Sequence, residues 1–143
     1  MKETYLNILQ HLSTVSELRW IDANKGQLMS ETRPALAFPA CLIKLEITDS
    51  KTTGANVQVL TIQVTLSLIF TFVGNTALQT PEQIREESLA YFDTVQNTYL
   101  ALQGKLNHDG RPYERTSQRE QEGEAIKVVN LTFKTFALDQ SAA

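Results

Sequence analysis

The most regular pattern in the chain is an alternation. Leu60, Ile62, Val64, Leu66, Leu68, Phe70 and Phe72 recur at every second position, with Thr61, Gln63, Thr65, Ser67 and Thr71 between them. A period of two places the two sets on opposite faces of a strand and argues against a helix. Run from Val57 to Val73, the pattern predicts a strand of about 55 Å at ~3.3 Å per residue, where ~17–20 Å is usual. Either a bulge bends such a strand, or one end projects and needs another chain to cover its apolar side. The interleaved face is made of uncharged Thr, Ser and Gln. It suits contact with another protein or the lining of a cavity as well as it suits solvent.

The flanking patterns supply the other elements. Tyr5, Ile8, Leu9, Leu12 and Val15 recur at helical spacing and predict a helix from about Lys2 to about Thr14. Leu18 to Ile21 reads as a short extended segment with Trp20 in the core. Pro34 and Pro39 make Met29 to Pro39 a loop. Cys41, Ile43, Leu45 and Ile47 alternate with Lys44, Glu46 and Thr48, so Cys41 to Thr48 is a half-buried strand, and Asp49 to Asn56 is a polar hairpin connection. Thr80-Pro81-Glu82-Gln83 is a capping-box start. It opens a helix to about Gln103, with Ile84, Ser88, Tyr91, Phe92, Val95, Tyr99 and Leu102 on one arc. Asn107 to Gly123 is polar and reads as a loop. Ala125 to Leu138 is a last strand, in which Ile126, Val128 and Phe136 fall out of phase with Val129, Leu131 and Phe133, as a bulge or two-sided burial would produce. This order predicts one α+β domain over residues 1–143: an antiparallel-dominated sheet with a long helix and an N-terminal helix packed on one face.

Composition narrows the chemistry. The 143 residues are 42% hydrophobic and 20% charged, ordinary for a soluble globular chain. The formal charge of −3 offers no basic field to grip a polyanion. Glu3 in an amphipathic first segment argues against a signal peptide, and the interrupted Val57–Val73 run cannot span a bilayer as a helix, so no membrane partner and a cytoplasmic setting are expected. Cys41 is the single cysteine, so no internal disulfide forms, and its apolar neighbours predict an inert core thiol. His11 and His108 have no partners at metal-ligand spacing, and no phosphate-binding glycine loop or nucleophile elbow is present. Glu82, Glu86 and Glu87 are explained by the positive end of a helix dipole. The expectation is therefore no metal, no cofactor and no enzymatic activity.

With the elements in order, a family resemblance can be stated. Leu18-Arg19-Trp20-Ile21-Asp22 followed by Lys25-Gly26-Gln27-Leu28 is its first part. A proline-bearing loop ending in Ala37-Phe38-Pro39-Ala40, the strand from Cys41, the second helix, Arg115-Thr116-Ser117 and a closing Phe136-Ala137-Leu138-Asp139 complete it. In layout and sequence flavour this resembles the tail-terminator (tail-completion) proteins of phages. The resemblance implies a structural protein of the virion tail, assembled in the host cytoplasm. It implies a ring, commonly a hexamer, at the head-proximal end of the tail tube, which stops tube growth and joins tail to neck. The tube protein, the neck protein and, in contractile tails, the sheath would be partners, with DNA only passing through the channel.

No catalytic residues carry over from the family. The layout nominates interface residues instead: Arg33 and Phe38 from the first loop, Gln63, Thr65 and Ser67 from the polar strand face, and Arg111, Tyr113, Arg115 and Arg119 from the second loop. Tyr113, beside Pro112, is the aromatic candidate for an exposed anchor. Two alternatives remain. One is another phage or secretion-system connector or tube subunit. The other is a small-ligand-binding curved-sheet domain, in which Phe70, Phe72, Tyr91 and Tyr99 would line a cup and Gln63 or Ser88 would supply polar contacts.

Overall fold

A computed structural model describes residues 1–28, 37–71, 74–123 and 125–143. The elements run α1 (Lys2–Leu12), β1 (Trp20–Ala23), β2 (Ala40–Thr52), β3 (Gln58–Thr71), α2 (Glu82–Leu89), α3 (Tyr91–Leu102), β4 (Glu114–Gly123) and β5 (Ile126–Asp139). The strands form one sheet in the order β1-β2-β3-β5-β4, antiparallel except for the parallel β1–β2 pair. The fold is α+β, as the patterning predicts. Among the described residues no helix is long and apolar enough to cross a membrane.

β3 is not bent by a bulge of its own. It stays regular over its 14 residues, because β2 (13 residues) and β5 (14 residues) pair with it along both sides. The irregularities sit in the flanking strands instead. Thr48 is the extra residue of a bulge in β2, and Thr116 of one in β4. Each bulged threonine turns its hydroxyl onto the neighbouring strand: Thr48 Oγ1 donates to the Thr61 carbonyl (3.4 Å) and Thr116 Oγ1 to the Thr132 carbonyl (3.2 Å). The expected strand end at Phe72 and Val73 lies outside the described residues.

The apolar face of β3 is buried as its alternation requires. Leu60, Ile62, Val64, Leu66, Leu68 and Phe70 join Cys41 and Ile43 of β2 and Val129, Leu131 and Phe133 of β5, under Ile8 and Leu12 of α1 and Val95 and Leu102 of α3. Ala40, Leu42, Ile69 and Val128 form a second, smaller cluster with Leu28, Phe38 and Ile126 packed against it. These residues lie on the other face, one register step from the main core. The out-of-phase Ile126 and Val128 of β5 therefore reflect two-sided burial.

Four expectations are corrected. Glu114–Gly123 is not loop but the edge strand β4, paired to β5. The expected single helix bends at Ala90 into α2 and α3. Ser88 Oγ donates to the Ile84 carbonyl at 2.7 Å, and the Ala90 N–H bonds the Glu87 carbonyl in a tightened turn. The capping box is absent: α2 starts at Glu82 after Pro81, with no side-chain cap, and Gln83 instead reaches Glu87. Trp20 is 43% exposed, because its position on the parallel strand β1 pairs with Ala40 on the face away from α1 and α3.

The face assignment has a direct stability test. Leu66→Ala, fully inside the core, should lower the unfolding free energy by about 2–5 kcal/mol in denaturant titrations. Thr65→Ala, its neighbour on the other face, should change it by no more than about 0.5 kcal/mol. Equal losses, or the reverse order, would mean that β3 is turned over.

Candidate assembly surface

The open face of the sheet is built from the residues that alternate with the core. Gln63, Thr65 and Ser67 of β3 stand beside Lys44 and Glu46 of β2, Asn130 and Thr132 of β5, and Ser117, Arg119 and Gln121 of β4. Together they line a trough of about 760 Å³. Its side chains engage each other. Ser67 Oγ donates to Asn130 Oδ1 at 2.7 Å, and Asn130 Nδ2 donates to Gln121 Oε1 at 3.0 Å. Gln63 Nε2 donates to Glu46 Oε2 at 3.3 Å, and Lys44 pairs with Glu46 at 3.3 Å. Such a network holds the polar groups in place, and most of it is neutral. A partner can cover it without stripping water from many unpaired charges.

The nominated residues divide. Gln63, Thr65, Ser67 and Arg119 come together in the trough. Phe38 packs against the small apolar cluster at one end of this face. Arg115 lies on the opposite face, its guanidinium 3.9 Å from the centre of the Tyr99 ring and hydrogen-bonded to Gln118. Arg111 sits near the far end of the sheet, in a cleft with Val59, Phe136 and Leu138. Arg33 lies outside the described residues.

Tyr113 is corrected from exposed anchor to core. It is fully buried, and its hydroxyl donates to Asn7 Oδ1 of α1 at 2.7 Å. Burial pushes its phenol well above the usual tyrosine range. The segment 103–113 folds back on itself, with the Gly104 N–H bonded to the Tyr113 carbonyl and the Tyr113 N–H to the Lys105 carbonyl. Asn107, which sequence reasoning passed over, pins this segment to β5. Its Nδ2 donates to Thr135 Oγ1 and to the Phe136 carbonyl, both at 2.8 Å. Its Oδ1 accepts from the Asp109 and Arg111 N–H groups. The available signal is the run Asn107-His108-Asp109-Gly110, where an Asx side chain precedes a glycine at φ +74°.

The thiol and the two imidazoles are held by packing and local contacts. Cys41 is buried, and loss of hydration pushes its thiol up to about 12. His11 Nε2 donates to the Leu106 carbonyl at 3.1 Å, and His108 contacts Glu3 and Asp109, each at 3.5 Å. Both rings thus tie α1 or its end to the 103–113 segment. Among the described residues no group of three or more His, Cys, Asp or Glu side chains is arranged to hold a metal ion. Gln63 and Ser88, the polar pair of the ligand-cup alternative, lie on opposite sides of the sheet: Gln63 lines the trough, and Ser88 borders a cleft with Phe70 and Tyr91 on the helix side.

No protein-family model and no curated protein matches the chain. Among solved structures, it is similar to a chain of the virion of a native gene transfer agent particle, with a TM-score of 0.57 over 96% of both chains. At 11% sequence identity this is a likeness of fold.

The pinned segment yields a test. Asn107→Ala removes four hydrogen bonds and leaves the buried Thr135 hydroxyl and part-buried backbone groups of β5 and the turn without their partner. It should cost about 2–4 kcal/mol of stability and speed amide exchange at Asp109 and Arg111 before global unfolding. Unchanged exchange at those amides would show that Asn107 does not hold the segment.

Proposed function

We propose that this chain is a structural subunit of a phage-like virion, and that it forms a closed ring at the head-proximal end of a tail tube. There it stops tube growth and joins the tail to the neck. The observation that carries this reading is the likeness of fold, over 96% of both chains, to a component of a gene transfer agent virion. The surface supports it. The sheet is longer than the helices that cover it, and its polar, mostly neutral face is ready to be buried by another subunit. In this reading the protein catalyses nothing. Its partners are copies of itself, the tube, the neck and, in a contractile tail, the sheath, and DNA crosses the channel without sequence readout.

The test is molar mass by light scattering across a wide concentration range, with negative-stain imaging of the assembled fraction. Closed rings with a central hole, hexamers in the first instance, are the expected result. A protein that stays monomeric throughout, both alone and with purified tube protein, would contradict the proposal.

A further inference from the structure

Unpaired backbone groups along the edge of a sheet are a template for another strand, and chains usually close them. Here several parts of the edge are closed by the chain's own side chains. On β1 the Ala23 N–H donates to Asp22 Oδ1 and the Ala23 carbonyl accepts from Gln27 Nε2, both at 2.8 Å. At the end of β5, Asn107 Nδ2 donates to the Phe136 carbonyl and Asp109 Oδ2 accepts the Leu138 N–H. At the start of β4, Gln103 Oε1 accepts the Arg115 N–H at 2.8 Å. Two stretches differ. β1 pairs with β2 only over Ala40–Ile43, and β4 is the last strand of the sheet. Among the described residues, Lys44–Thr52 of β2 and Ser117–Gly123 of β4 have no strand or loop backbone bonded to their outer sides.

The two open stretches fit each other. Within one chain β3 and β5 lie between them, so only two copies can join them. Three successive antiparallel pairings make β4 run opposite to β2, so side by side they form an antiparallel ladder. Their faces agree when Arg119 stands opposite Asp49, because both lie on the open face: Arg119 pairs across to Asn130, and Asp49 to Thr61. With Thr48 bulged out, Ser117 then stands opposite Lys51 and Gly123 opposite Lys44, just short of the Ile43 that β1 already pairs. Among the described residues neither Arg119 nor Asp49 has an ion-pair partner. The stagger also fits. Arg119 is level with Leu42 across the sheet, through Asn130 and Ser67. Reaching Asp49 shifts the next copy by about six residues, ~20 Å along the strands for ~19 Å across four of them. That is a strand tilt of roughly 45°, near the tilt at which sheets close into barrels.

We propose that Ser117–Gly123 of one subunit pairs with Lys44–Lys51 of the next, with Arg119 opposite Asp49, so that the sheets join into one continuous band around the ring. This rests on the ring reading and specifies its contact. Two different edges of one chain meet, which is the heterologous geometry that a ring requires. The polar troughs then lie on one side of the band, each running on into its neighbour, and the helices lie on the other.

Disulfide trapping tests the pairing, since the one native thiol, Cys41, is buried. Within a chain, positions 51 and 117 are separated by β3 and β5, too far for a disulfide. Across the proposed contact they are opposite each other. The chain carrying Ser117→Cys and Lys51→Cys, assembled and mildly oxidised, should give a covalent ladder that ends at the mass of the ring. Each single variant should give none. Dimers from Ser117→Cys alone or Lys51→Cys alone would mean that like edges pair, and no ladder from an assembled double variant would mean that other surfaces meet. Either result overturns the contact while the ring stands. A second measurement uses the charges, with circular dichroism to verify folding. Arg119→Asp and Asp49→Arg should each raise the concentration needed for assembly about tenfold, and the two together should restore it. Unchanged assembly in both single variants, or no rescue, contradicts the proposed register. If the unsubstituted chain never assembles, alone or with tube protein, the ring reading falls and this contact with it.

Discussion

A 14-residue strand presents hydrogen-bonding groups along both edges, and buried groups of this kind must be paired. β3 meets that requirement through β2 and β5, each nearly its own length. The helices do not keep pace. α1 has 11 residues and α3 has 12, about 17–18 Å each at ~1.5 Å per residue, against about 46 Å of strand at ~3.3 Å. The sheet therefore extends past its own cover. Ile47, on the helix-side face opposite Ile62, is exposed.

This mismatch explains the division of the surface. Where α1 and α3 lie, the sheet has an ordinary apolar core. Across the middle of the other face, hydrogen-bonded Gln, Ser and Asn side chains replace it, with the Lys44–Glu46 pair at one border. At the ends, apolar side chains stand exposed: Leu78 before α2 and Ile84 within it, and Phe136 and Leu138 beside Arg111. A chain whose central sheet outruns its helices has surface to share with neighbours, and the proposed ring uses that surface.

The one-sided elements could be read in the sequence, and the others could not. β3, β2 and α1 bury one face each, so a period of two or of 3.6 marks them. β4 holds no apolar residue in Glu114–Gly123, so nothing in its composition separates a polar edge strand from a loop. Its bulge has a further effect. Arg115 and Arg119 are four residues apart and would share a face of a regular strand, but Thr116 is the extra residue, and the two arginines end on opposite faces. Tyr113 could not be placed because its burial depends on contacts far along the chain, with Asn7 of α1 and through Asn107 to Thr135 and Phe136. The trough was partly legible, since Gln63, Thr65 and Ser67 are its central strip and Arg119 its edge. Its continuation through Asn130 and Gln121 depended on a strand order that no local pattern encodes.

The central claim is a place in a particle: a ring where the tail meets the head. Gold-labelled antibody against this chain, applied to intact particles and viewed by electron microscopy, tests it most directly. The account predicts label at the head–tail junction alone, one cluster per particle. Label distributed along the tail or over the head, or particles that carry none, would contradict it.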